Sequence, residues 1–155
     1  MTEFIEKRIA NLGYELPAPH TPVANYRPWN IEGKILHIAG QGPMRPDGTP
    51  IVGIVGADLS LAEGKEAAAQ VALNLIAQAK DACDGDLDRI EHWVKLFAMV
   101  RAPGDFGAHP EVINGASDLL VEVFGEAGRH SRAAIGMASL PFGIAVEIDA
   151  VIKLI

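Results

Sequence analysis

A chain of 155 residues, 49% hydrophobic and 21% charged, has the size and composition of one globular domain with a proper core. Its net charge of −7 argues against nucleic acid or an anionic membrane as partner, since both call for a basic surface. A lone cysteine, Cys83, excludes an intrachain disulfide, no apolar run reaches the roughly 18 residues of a membrane span, and residues 1–16 do not read as a secretory leader, so a cytoplasmic location is expected.

Ile5, Ile9 and Leu12 predict a short amphipathic helix over residues 3–12, stopped by Gly13. Pro17, Pro19 and Pro22 then hold the chain extended, because each disfavours helix at the residue before it. Residues 23–30 lead into a first strand, with a turn at Glu32-Gly33. A core strand follows over residues 34–39, and Pro46-Asp47-Gly48 is a turn. Residues 51–55 are expected to form a third strand. Gly40-Gln41-Gly42 lacks the glycine pattern of a phosphate loop.

Ser60 and Glu63 have the spacing of a capping box and open a helix predicted from Leu61 to Ala82. Its stripe is Ala68, Val71, Leu75 and Ala79, and Gly85 stops it. Cys83, at its end, is predicted to be a packed thiol. Asp81, Asp84, Asp86 and Asp88 lack the ligand order of a calcium loop and are read as a solvated acidic turn. Residues 92–101 form a strand with Val94, Leu96, Ala98 and Val100 on one face and Trp93, Phe97 and Met99 on the other. Apolar residues on both faces predict cover from two sides. Two helices supply one cover, so the other points to a second copy of the protein. The second helix starts near His109-Pro110, carries Val112, Ala116, Leu119 and Val123, and ends at Gly125.

Residues 130–155 read as two strands around a turn at 139–143. Ile144, Val146, Ile148, Ala150, Ile152 and Leu154 alternate with more polar positions. Matching that face to Ala133, Ile135 and Met137 predicts an antiparallel hairpin with Arg132 on the same face as Glu147 and Asp149. Two readings stay open: an ion pair on a solvated face, or a site in which a cation and a carboxylate act on a ligand. The element order β-β-β-α-β-α-β-β predicts an α+β fold, a mostly antiparallel sheet with two helices on one face. The five histidines have no ligand spacing, and neither a nucleophile elbow nor a zinc-protease motif occurs. No metal or cofactor is therefore expected. What remains is acid–base chemistry on an already reactive substrate, or no chemistry.

The run HSRAAIGMASLPFGIAVEIDAV, residues 130–151, resembles the C-terminal signature of the Rid/YjgF family of reactive-intermediate imine deaminases. The signature is an Arg opening a strand, small apolar residues, Leu-Pro, and a closing strand of Val-Glu-Ile-Asp type. The likeness runs from about Pro17 to Ile155. It implies one Rid-like domain over 1–155 with residues 1–22 as an N-terminal extension, the chorismate-mutase-like fold, and a homotrimer with ligand clefts between subunits. It implies hydrolysis of enamine/imine intermediates to 2-ketoacids and ammonia, with Arg132 gripping the substrate carboxylate and Glu147 positioning water. Tyr26 would wall the cleft, Gly40 and Ala134 would offer main-chain contacts, and Asn114 would reach in from the neighbouring subunit. The partner is then a small imino acid or carboxylate. The alternatives are a non-enzymatic carboxylate-binding or regulatory protein of the same fold, and a chaperone-like or RNA-acting oligomer, which the acidic charge disfavours. The chain departs from the family pattern at Ala39, where a Ser is usual, at Ala134, where a Cys is frequent, at His130, and at Arg27 and Trp29, which add bulk near the cleft.

Overall fold

The computed structural model describes residues 4–155. Helix α1 spans Phe4–Asn11 and ends before Gly13, whose φ of 81° suits a helix stop; Glu3, placed in this helix from the sequence, lies outside the described residues. Strands β1 (Trp29–Glu32) and β2 (Ile35–Gln41) form a hairpin whose turn uses Gly33 at φ 62°. Helix α2 (Leu61–Ala82) opens with the predicted reciprocal capping box of Ser60 and Glu63. Strand β3 (Ile90–Arg101), helix α3 (His109–Phe124), strand β4 (Ser131–Met137) and strand β5 (Val146–Leu154) complete the chain. The result is an α+β fold: a five-stranded mixed sheet in the order β1-β2-β5-β3-β4, with α2 and α3 packed together against one face.

The expected β4–β5 hairpin does not form. β4 pairs with β3, in parallel, and lies at the sheet edge. β5 crosses to the other side of β3 and fills the slot between β2 and β3, antiparallel to both. Helices α2 and α3 thus each link two strands that run the same way, as a crossover requires. Alternation correctly named the buried face of β5, where Val146, Ile148, Ala150, Ile152 and Leu154 are all buried. It carried no information on which strand lies alongside.

Three other expectations change. Residues 51–55 form no strand and contribute only isolated bridges, Val52 to Ile144 and Val55 to Leu59. Gly53 and Gly56, at φ 137° and 91°, bend this stretch out of extended form. Trp93 lies on the helix-side face with Leu96, fully buried against the Phe124 ring, because a register shift between Trp93 and Lys95 turns the strand. The acidic cluster is structural rather than merely solvated. Asp88 accepts from the backbone N–H groups of Phe4 and Ile5 at the start of α1, at 3.0 and 3.1 Å. Asp81 accepts from the Trp29 indole N–H at 2.8 Å, so Trp29 is tied to α2 and does not crowd a cleft. Cys83 is buried at the end of α2, as expected. Among the described residues no helix is long and apolar enough to cross a membrane.

The tightest approach is between α2 and α3. A Cβ on Gly115 would sit 2.1 Å from the Lys65 carbonyl oxygen, a backbone atom that cannot swing aside. Gly115→Ala must therefore part the helices and should lower stability by about 1–3 kcal/mol, the usual cost of overpacking. Chemical denaturation checks this, with the exposed Asp118→Ala, expected within about 0.5 kcal/mol of the parent, as control.

Candidate functional site

The proposed catalytic residues lie in two separate hollows. Alternation along β5 turns Glu147 and Asp149 to the face away from the helices, where they stand opposite Met99 and Phe97. Arg132 stands opposite Leu96, whose side chain is buried on the helix side. Arg132 and Glu147 therefore project from opposite faces of the sheet with β3 between their strands, a lateral offset of roughly 10 Å. The shared face expected from a hairpin is not found, because β4 takes its register from β3 and not from β5.

The first hollow, about 660 Å³, gathers Tyr26, Gly40 and Glu147. A register shift in β2 between Ile38 and Gln41 exposes Gly40 directly above the Glu147 carboxylate. A Cβ at Gly40 would fall 2.5 Å from Glu147 Oε2, so glycine is what lets the carboxylate lie there. The same shift buries Gln41, whose amide donates to the Ala39 carbonyl at 3.0 Å and accepts from Gln78 at 3.4 Å. Gln78 also donates to the His20 carbonyl at 2.9 Å and so anchors the extended N-terminal segment as one wall. The other walls are largely apolar: Met44, Pro50, Pro141 and Ile144. At the rim, Phe142 is 95% exposed and holds φ at 59°, a left-handed conformation that is unusual for a bulky residue.

Glu147 is half-buried, and its carboxyl is pushed above the ordinary glutamate value by burial first and by the neighbouring Asp149 second. Asp149 is pushed up by burial as well, opposed by a backbone hydrogen bond from Phe97 and by the Lys95 charge. A carboxylate so placed is more basic than one in water and can take a proton nearer neutral pH.

The second hollow, about 600 Å³, contains Arg132 and Asn114. Helix α3 supplies one wall through Asn114 and Ser117, three residues apart and hence on one face. The Arg132 guanidinium donates to Ser117 Oγ at 3.0 Å and to the Pro110 carbonyl at 3.3 Å. Asp118 and Glu122 also line this hollow, yet neither forms an ion pair with Arg132. Two of its five N–H donors are engaged and three are left for a ligand. Ala134 lines neither hollow; it is half-buried on the helix side and packs against the core. The sequence did not single out Ser117, Met44 or Phe142, although the three-residue spacing of Asn114 and Ser117 was a usable signal. Among the described residues no group of three or more His, Cys, Asp or Glu side chains could hold a metal ion.

Residues 6–148 match the model of a family described as "YjgF/chorismate mutase-like, putative endoribonuclease". The chain is 43% identical over 151 residues to Protein TCP17 of Trypanosoma cruzi, covering 97% of this chain and 94% of that one. It is similar to the crystal structure of Atu1372 from Agrobacterium tumefaciens, a protein of unknown function, with TM-score 0.92, 44% identity and coverage of 99% and 96% of the two chains. It is also similar to RidA from a Psychrobacter species, with TM-score 0.60, 25% identity and coverage of 88% and 94%. Nearly the whole length, the sheet with its two packed helices and the C-terminal signature thus agree, and the chain belongs to the Rid/YjgF family.

Proposed function

We propose that this protein hydrolyses reactive imines of small 2-amino acids, in a site assembled from the Glu147 hollow of one copy and the Arg132 hollow of the next. The observation that carries this reading is the Glu147 carboxylate, half-buried beneath Gly40 in a hollow with apolar walls, raised in basicity and next to open space. A carboxylate in that setting suits activation of water. The complementary part, an arginine with donors to spare, stands on the other face of the sheet. One chain cannot close these two parts on a small ligand, and a neighbouring copy can. Apolar side chains on the helix-free face, the half-buried Phe97 and Met99 and the exposed Ile135, favour a homotrimer or similar ring, in which each copy lends its arginine to the next.

The chemistry follows from the groups. The substrate carboxylate pairs with the Arg132 guanidinium through parallel N–H bonds. Water held by Glu147 attacks the carbon of the protonated C=N bond, and its proton passes to the carboxylate. The carbinolamine nitrogen takes that proton, the freed carboxylate accepts the hydroxyl proton as the C–N bond breaks, and ammonia leaves with the 2-ketoacid, taking up that last proton as ammonium and restoring the carboxylate. Bond-making needs no metal or redox partner, because the iminium carbon is already electrophilic. The relative named RidA supports this class of chemistry. An RNA-cleaving role, which the family description names, sits poorly with a net charge of −7.

Ammonia release from an imine made in situ by an amino-acid oxidase tests the reading. Arg132→Ala and Glu147→Gln should each lower kcat/KM about 100-fold, the scale of a lost charge-assisted contact or a lost general base; parent-like rates in both would remove the assignment. Gly40→Ala should lower kcat while leaving the fold intact, since the added methyl displaces the Glu147 carboxylate. If turnover requires ionised Glu147, activity falls as pH drops through its raised pKa. Asp149→Asn removes a like charge, lowers that pKa, and should move the acidic limb of the rate profile to lower pH.

A further inference from the structure

Arg132 is held by a short chain of hydrogen bonds in which each group has one sensible role. His130 Nδ1 lies 2.8 Å from the Gly128 carbonyl oxygen, and its Nε2 lies 2.9 Å from Ser117 Oγ. A carbonyl only accepts, so Nδ1 carries the proton. In the neutral ring Nε2 is then a lone pair, and it accepts the Ser117 hydroxyl proton. That leaves the lone pairs of Ser117 Oγ for the Arg132 Nη1–H at 3.0 Å. The direction of every bond is fixed: Arg132 to Ser117, Ser117 to His130, His130 to Gly128. Gly128 is buried close against α3, where a Cβ would lie 2.2 Å from the Leu120 carbonyl oxygen and so no side chain fits.

The surroundings favour the neutral ring. Burial is the main cause that lowers the His130 pKa, and the Arg132 charge adds to it, against the Gly128 carbonyl bond. The other charged groups lining this hollow are Asp118, Glu122 and Arg129. Arg129 is engaged with Glu126 at 3.2 Å, and Glu122 accepts from the Tyr14 hydroxyl at 2.7 Å.

We propose that Ser117 and His130 are positioning residues for Arg132: the chain from Gly128 through His130 and Ser117 aims the guanidinium so that its unengaged donors meet a carboxylate. This rests on the reading of Arg132 as a carboxylate clamp. Without Ser117, Arg132 keeps only the 3.3 Å bond to Pro110 and swings among rotamers. Each such rotamer must be given up again when a ligand binds. The charge remains in either case, so the loss is one of orientation.

Two measurements on the full-length protein test this. ¹⁵N NMR of the unmodified chain should show His130 as the neutral Nδ1–H tautomer at pH 7, and the Nε2–H tautomer would overturn the proposal. Calorimetric titration with 2-oxobutanoate, a product-like 2-oxoacid, reads the clamp apart from turnover. Ser117→Ala and His130→Leu should weaken binding about tenfold, equivalent to about 1.4 kcal/mol. Ser117→Thr keeps the hydroxyl and His130→Gln keeps an acceptor for it, so each should recover most of that loss. A merely structural role would lower the melting temperature without changing affinity in the folded protein. If Arg132→Ala abolishes binding while Ser117→Ala and His130→Leu bind like the parent, the positioning role is wrong and the clamp stands. If Arg132→Ala also binds like the parent, the clamp reading fails and the positioning role falls with it.

Discussion

Everything in this structure depends on where β5 goes. Its nine residues enter a slot between two strands that already run parallel, and it pairs with both. One face of β5 is then sealed beneath α2. The other must carry Glu147 and Asp149 into the open, because successive side chains alternate. Burying a Val or Ile side chain contributes about 1.5–3 kcal/mol, and five consecutive inward positions on β5 are buried. A slip of one residue would turn Glu147, Asp149 and Lys153 into the core in place of those apolar groups. The core therefore fixes the acidic residues to their face, and the candidate site inherits its geometry from packing rather than from local hydrogen bonds.

The edge strand β4 follows a different rule. It pairs on one side only, with β3, and its helix-side residues meet the start and middle of α3. Arg132 thus reaches Ser117 and Pro110, and Gly136 leaves room for His109, to which a Cβ there would come within 2.5 Å. Cation and carboxylate belong to strands separated by β3 and point to opposite sides. A single copy holds them in two separate hollows, one with largely apolar walls around the Glu147 carboxylate and one more polar around the Arg132 guanidinium.

Local signals in the sequence carried far. The Ser60/Glu63 capping box and the stripe beyond it located α2 to the residue, and the alternation of β5 identified its core face. Those features are set by neighbours within a few positions along the chain. Strand partnership is not. β4 pairs with β3 at the far end of the crossover made by α3, and no periodicity in 130–155 records it. Trp93 was misplaced for a related reason, since a bulge shifts the phase of alternation without leaving a glycine or proline as a mark. Tyr26, Gly40, Asn114, Arg132 and Glu147 all line one or other hollow, but their division into two groups follows from strand order. Ala134 was carried over by resemblance to a position that here packs against the core.

The central claim is that one active site takes Arg132 from one copy and Glu147 from another. Mixed assemblies of Arg132→Ala and Glu147→Gln chains, prepared by unfolding and refolding the two together, test it most directly. Each variant alone should be nearly inactive, and the mixture should regain a substantial part of the parental imine hydrolysis, because some sites then receive an intact arginine and an intact glutamate from different chains. A mixture whose subunits exchange fully and that is no more active than its components would contradict the account.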